Sequence, residues 1–481
     1  MNRVCRPGIH AQHAFSSFLP LVPEGLTVSS RRNILKASLA GMAGLTVPRL
    51  LEQRAEGAAP AHKSVILLWM TGGPSHIDTW DPKPDRPYIN RGPFAPIATK
   101  LPGVFICEHL PKQAAMLDRF TVIRSADPTD SNHEPNMVWQ TGNRAAEPRI
   151  DPQKGDKWPA IGSIISRFRG AADGMPPYVT FHKGNSHIAF GGYLGKQYDP
   201  FAGNRAARLP EYDHVGTPLN RMTGGEMFQF ARGLTHERLL DRTALLNDFD
   251  ALRRDIDQRG SLSAMDGYSQ QAVELVVGSQ AQAAFDLSRE PEDTRRRYGD
   301  HLWCQQALLA RRLVEAGVAF VTLDLSYHAA SGTWDTHGDN IPPYGGIKKG
   351  LGPLLPLFDH LLTTLVSDLD ERGTLDNTLV IAMGEFGRTP YMGTQDSVDG
   401  RNHWPAIMSM CMAGGGLRHG QVIGASEFDG GHIAARPVTP GDLAATIYRH
   451  MGVPLEATFD DDRGRPHPIV QNNGQPIAEL S

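Results

Sequence analysis

Cysteine is scarce, with four in 481 residues and none at C-x-x-C spacing. Cys5 lies near the start, and Cys107, Cys304 and Cys411 are far apart, which argues against a disulfide framework or a thiolate zinc site. A dominant charge sign is lacking too. The formal net charge is −4 with both signs interspersed and no basic stripe, so nucleic acid is not expected as a partner. No apolar run approaches the roughly 20 residues of a membrane-spanning helix, so no transmembrane anchor is expected. Internal repeats and low-complexity tracts are also missing. A chain with these absences is held together by its core.

What is present begins with an address. Ser29-Ser30-Arg31-Arg32-Asn33-Ile34-Leu35-Lys36 resembles a twin-arginine export signal, followed by a mildly apolar stretch over 37–47 and by Arg49. Small residues at Ala59-Pro60-Ala61 offer a cleavage point. Residues 1–61 are therefore expected to be a leader, and the mature protein is expected in the periplasm or cell envelope. The remainder, 62–481, is long enough for one large α/β domain with insertions or for two domains.

Within it, short apolar β-prone runs alternate with amphipathic segments, the pattern of parallel strands joined by helices. Strands are expected at 65–69, 120–123, 178–181, 318–323, 379–383 and 407–412, and helices at 112–118, 160–168, 302–316, 354–372 and 442–451. The stretch 225–300 has heavy Arg, Asp and Leu usage with helical spacing and reads as an all-helical insertion. Residues 184–218 are rich in Gly, Asn, Pro and Tyr, as expected of a long ordered loop, near a site or plainly on the surface.

Ligand-type residues crowd behind several of these strands, where open α/β sheets bind ligands. Trp334-Asp335-Thr336-His337-Gly338-Asp339 packs carboxylates and an imidazole into six residues. Asp335 and His337 are two apart, so in extended backbone both side chains face one ion. Imidazole plus carboxylate suits zinc, manganese or iron, whereas a carboxylate-dominated site favours calcium or magnesium. The competing reading is a hydrogen-bonded loop with Asp335 capping a turn. His76 and Asp78 repeat the spacing after Gly72-Gly73-Pro74; a glycine turn with Asp78 on local amides is the alternative. Glu385 follows a later strand, Arg388 is placed to clamp an oxyanion with its planar fork, and His403 precedes the next strand. Further back, Pro128-Thr129-Asp130-Ser131-Asn132-His133-Glu134 leads into a helix-like run over 135–141. Ser131 or Asn132 would cap it, leaving a simple cap or a site favouring a nucleophile.

In this order the motifs resemble the domain of unknown function 1501 family, exported bacterial proteins related to the alkaline phosphatase and sulfatase superfamily. The resemblance spans 62–481. It rests on Gly72 through Pro84, Leu309-Ala310-Arg311-Arg312-Leu313-Val314-Glu315-Ala316-Gly317-Val318, Trp334-Asp335-Thr336-His337-Gly338 and Gly384-Glu385-Phe386-Gly387-Arg388-Thr389-Pro390. It implies an alkaline-phosphatase-like α/β sandwich of helices around a mostly parallel sheet. Departures accompany it: the sulfatase Cys-x-Pro-x-Arg nucleophile motif is absent, Thr71 or Gly72 stands where the first strand would end in Asp, and Glu385-Phe386 replaces Asp-His.

Two functions compete at this stage. One is a metal-dependent hydrolase of phosphate or sulfate esters, with Ser131, His133 and Arg388 catalytic and His76, Asp78, Asp335, His337, Glu385 and His403 as candidate ligands for zinc, calcium, magnesium or manganese. The other is a non-catalytic relative that binds an anionic glycan or a cell-envelope partner.

Overall fold

The computed structural model describes residues 62–129, 136–146, 157–170, 174–228, 279–338, 345–394 and 396–481. An eight-stranded sheet lies at its centre. In chain order its strands are β1 (Ser64–Trp69), β2 (Phe120–Ala126), β3 (Tyr178–Phe181), β4 (Phe201–Ala202), β5 (Phe320–Asp324), β6 (Thr378–Met383), β7 (Met408–Gly414) and β8 (Gln421–Ile423). In space the order is β8-β2-β7-β6-β1-β5-β3-β4. All six strands expected from the sequence are in this sheet, joined by the short β4 and β8, which have too little apolar sequence to stand out.

Every residue of β1 (SVILLW), β6 (TLVIAM) and β7 (MSMCMAG) is buried, as required of strands covered on both faces. Alternation divides their side chains between two cores. Ile66, Leu68, Val321, Leu323, Val380 and Ala382 pack with helices α2 (Leu302–Glu315) and α3 (Gly352–Glu371). Val65, Leu67, Trp69, Leu379, Ile381 and Met383 pack with α1 (Ile161–Arg169) and α4 (Pro440–Met451). The result is the expected α/β sandwich of helices around a mostly parallel sheet.

Helix ends follow local chemistry. Thr439 and Asp442 form a reciprocal capping box at the start of α4, and Gly452 closes it at φ +67°. Arg311, in the Leu309–Val318 motif, is buried among Glu290, Glu315 and Asp368, tying α2 to α3 and to the segment before it. Of the expected helical insertion, Ser279–Phe285 and Glu292–Tyr298 are helices, and 229–278 lies outside the described residues.

One strand makes the sheet mostly rather than wholly parallel. β7 runs antiparallel to both β6 and β2, while β1, β5, β6 and β3 run parallel. An apolar run carries no sign of its direction, so periodicity was silent here. The reversal matters for the site. Trp69 is paired with both Met383 and Asp324, so three parallel strands end in one row. Because β7 starts where they stop, the residues just before it reach the same edge.

Candidate metal centre

Four segments meet at this edge: 71–78 after β1, 324–337 after β5, 385–388 after β6 and 401–404 before β7. The loop bearing Asp335 and His337 is pinned from several sides. The Trp334 backbone N–H donates to the Thr71 carbonyl at 3.0 Å, and its indole N–H donates to the Leu325 carbonyl at 2.9 Å. Gly72 lies under this loop at φ +116°, where a Cβ would fall 2.3 Å from the Asp335 nitrogen. Only glycine allows that approach. On the far side, the Arg401 N–H donates to the Thr336 carbonyl at 3.0 Å. A short antiparallel ribbon, Gly387–Arg388 with His403–Trp404, places Arg388 opposite His403.

Asp335, His337 and His403 converge, each offering a ligand atom within 4.8 Å of the others. Both imidazoles turn Nε2 toward Asp335 Oδ1, His337 at 2.8 Å and His403 at 3.4 Å. The two rings lie 4.5 Å apart between centroids. Ligand atoms around a four-coordinate zinc ion stand about 3.3 Å apart, so the donor set fits a small divalent ion. Two imidazoles among three donors favour zinc, iron or manganese over calcium or magnesium. Thr336 Oγ1, between the two loop donors in sequence, is buried without a hydrogen-bond partner among the described residues. Asp335 is almost wholly buried, whereas His403 is 29% exposed along its side chain, so solvent reaches the cluster from the His403 side.

The remaining expected site residues have other partners. His76 is buried, with Nε2 2.8 Å from the Gly430 carbonyl and the Arg388 backbone N–H 3.5 Å from Nδ1. Burial outweighs those contacts and lowers its pKa, which favours the neutral ring. Asp78 forms a fully buried ion pair with Arg401 at 2.7 Å and accepts from Ser75 Oγ at 2.5 Å. Neither belongs to the cluster: the spacing that aims Asp335 and His337 together directs His76 and Asp78 into a packed turn. Glu385, fully buried, accepts from the Gly72 N–H at 2.8 Å and supports the glycine beneath the ligand loop.

Arg388 is at the site but in a different role. Its Nη2 lies 2.6 Å from Asp335 Oδ1 and also donates to the Gly72 carbonyl, while Nε donates to the Gly73 carbonyl at 2.8 Å. The fork is thus engaged by the protein, orienting Asp335 and offsetting its charge. Phe386 packs 4.8 Å from the His403 ring. Ser131 and His133 lie outside the described residues.

Sequence reasoning missed a second carboxylate and imidazole pair. Asp324, the last residue of β5, accepts from Thr71 Oγ1 at 2.5 Å and lies 2.8 Å from His187 Nδ1. His187 Nε2 faces the Ala330 carbonyl. Burial alone would push this imidazole down, but Asp324 first, with the Ala330 carbonyl and the Glu385 charge, outweighs it and raises its pKa to about 9. In the same way, burial would raise the Asp324 carboxyl, yet His187 and Thr71 hold it below the usual carboxylate range. Nearby His328 is lowered to about 4, by burial first and by His187 second. The aspartate closing an otherwise apolar strand was the signal for Asp324; His187, inside a glycine-rich stretch, had none.

No helix among the described residues is long and apolar enough to cross a membrane. No curated protein sequence matches the chain. Solved structures that resemble it include Ps i-CgsB in complex with k-i-k-neocarrahexaose, with 10% identity, TM-score 0.39, and coverage of 82% of this chain and 73% of that one. The PsFucS1 sulfatase from Pseudoalteromonas sp. has 15% identity, TM-score 0.34 and coverage of 86% and 71%. The phosphonate monoester hydrolase SpPMH from Silicibacter pomeroyi has 13% identity, TM-score 0.31 and coverage of 86% and 74%. At these TM-scores the likenesses carry no argument about activity. The family described as Protein of unknown function (DUF1501) matches residues 62–481, the whole described domain, and the chain belongs to that family.

Proposed function

We propose that this protein is an exported, metal-dependent hydrolase of phosphate or sulfate esters. The observation that carries the reading is the convergence of Asp335, His337 and His403 at the edge where three parallel strands end. These three residues would hold a zinc, iron or manganese ion. When bound, such an ion supplies a Lewis acid for an ester oxygen and lowers the pKa of coordinated water.

The chain's own groups prepare that place. Arg388, fixed by the Gly72 and Gly73 carbonyls, holds Asp335 in position and offsets its charge. Trp334 and Gly72 hold the ligand loop against the sheet end, so the donors are preorganised. The partly exposed His403 marks the side from which an ester would enter. Ser131 as nucleophile and His133 as proton carrier complete the proposal from the sequence. The leader over 1–61 would deliver the protein by the twin-arginine route to the periplasm or envelope.

The test is hydrolysis of a broad panel of phosphate and sulfate esters by metal-replete wild type, beside Asp335→Ala and Ser131→Ala. Activity lost in Asp335→Ala supports the hydrolase. A metal-loaded wild type inert on the whole panel removes it. One observation favours the second reading, a non-catalytic binder of an anionic glycan or envelope partner: the Arg388 fork faces protein oxygens rather than the opening. Polysaccharide binding by inert protein, weakened by Asp335→Ala, would support that reading.

A further inference from the structure

Helix α3 is largely apolar, yet it carries a polar stripe that the metal centre does not use. His360, Thr363, Thr364 and Ser367 follow one another at spacings of three, one and three residues, so they share one face. The short helix Pro111–Ala115 and the helix Glu292–Tyr298 both reach this face. An open cavity of about 360 Å³ lies there, lined by the four stripe residues together with Lys112 and Arg297. No carboxylate is among the described residues that line it. Asp359 accepts the backbone N–H groups of Lys112 and Gln113 at 2.9 and 2.8 Å, which anchors the short helix on α3.

That anchoring sets the Lys112 ammonium over the stripe. Its Nζ lies 2.8 Å from His360 Nδ1, and His360 Nε2 lies 3.0 Å from the Tyr298 carbonyl. A ring nitrogen facing a carbonyl carries the proton, so Nδ1 presents its lone pair to the ammonium. Lysine is thus held by a lone pair rather than by a carboxylate, and its charge is not cancelled where it is held. One of its three N–H bonds is spent on His360, and two are left for a ligand. Arg297 is gripped by Glu371 at 2.7 Å and serves as a wall. Thr363 Oγ1 is spent on the Asp359 carbonyl at 2.6 Å, whereas Thr364 Oγ1, on a residue only 8% exposed, has just the 3.4 Å approach to Nδ1. Two lysine N–H bonds and the hydroxyls of Thr364 and Ser367 outnumber the two oxygens of a carboxylate and suit a tetrahedral oxyanion. We propose that this cavity binds a phosphate or sulfate group through Lys112, Thr364 and Ser367. Clefts for small molecules span roughly 300–1,000 Å³, so there is room for a sugar that carries the group. The cavity shares no residue with the metal centre, and the proposal does not depend on the hydrolase reading.

The experiment is a calorimetric titration of the full chain with inorganic phosphate, glucose 6-phosphate and glucose 6-sulfate. The protein is treated with chelator first, so that no ion at the metal centre draws the probes. Saturable binding of at least one probe is expected, weakened at least about tenfold by Lys112→Gln and about threefold by Thr364→Val. Tighter binding of the sugar esters supports a group carried on a sugar, and equal binding supports the free ion; both keep the site. Absence of saturable binding for every probe overturns the proposal, and so does binding that Lys112→Gln leaves unchanged. Lys112 is exposed, so its variant is expected to fold, and it decides alone if Thr364→Val does not. No readout needs turnover, so failure of the hydrolase reading leaves this test intact.

Discussion

Two aspartate and histidine groupings occupy the same sheet edge and behave differently. At Asp324 and His187, each ring nitrogen has a single acceptor to itself, the Asp324 carboxylate and the Ala330 carbonyl, and the pair faces inward. At Asp335, the Nε2 atoms of His337 and His403 both approach one carboxylate oxygen. The first pairs one imidazole with one carboxylate; the second gathers two imidazoles and the Arg388 guanidinium around one carboxylate. Identical residue types at one sheet edge become a strut or a candidate ligand set according to how many groups converge on one atom.

That contrast can be attacked directly, and the largest effect is expected at the ligand set. Asp335→Ala with His337→Ala should lower divalent-ion affinity by more than about 1,000-fold, beyond the 10–100-fold cost of losing an outer-shell partner. Elemental analysis of the purified proteins would show stoichiometric metal only in wild type. Metal retained by the variant would place the ion elsewhere and dissolve the comparison.

The closed pair should show in stability instead. His187→Gln leaves Asp324 buried without its cation and should cost on the order of 3–5 kcal/mol in urea unfolding at pH 6. The sign of the pH dependence follows from the raised pKa. A group at about 9 in the native state and near 6.5 when unfolded stabilises fully below pH 6.5 and loses that contribution as pH rises through 9. The gap between wild type and His187→Gln should therefore be flat at pH 5.5–6.5 and shrink by about 3 kcal/mol toward pH 10. A gap independent of pH would mean that the imidazole is neutral.

A smaller effect is expected where backbone rather than charge supports the ligands. Gly72→Ala forces a Cβ to 2.3 Å from the Asp335 nitrogen at φ +116°. It should cost about 1–3 kcal/mol and weaken metal binding by displacing the loop, both measurable by thermal unfolding and metal titration. Arg388→Lys should have the mildest consequence. It keeps the positive charge but loses the fork shared by Gly72, Gly73 and Asp335, costing about 1–2 kcal/mol with the metal stoichiometry unchanged.

Much of the fold was legible because the buried runs are long and bounded by turn residues. The runs at 65–69, 379–383 and 407–412 are strands for the reason their composition indicates. Their direction was not legible, and the reversed β7 alone brings Arg401 and His403 to the edge. At the site, the two-residue spacing of Asp335 and His337 was readable as a shared face. The same spacing at His76 and Asp78 gave no sign of their different surroundings, because nothing local reveals that Gly430 and Arg401, more than 300 residues away, engage them. Arg388 was visible as a cation but not as one already engaged by glycine carbonyls.

By itself the sequence determined which segments are buried, that helices alternate with strands, that family motifs run from 62 to 481, and that ligand-type residues follow strand ends. These depend on periodicity and composition, which act over a few residues. Tertiary structure decided which carboxylates meet a single protein cation and which one meets a set of imidazoles as well, since that depends on strand order, strand direction and contacts between residues hundreds of positions apart. Charge balance at a buried site is a sum over neighbours in space, and the order of residues along a chain does not contain that sum until the sheet has formed.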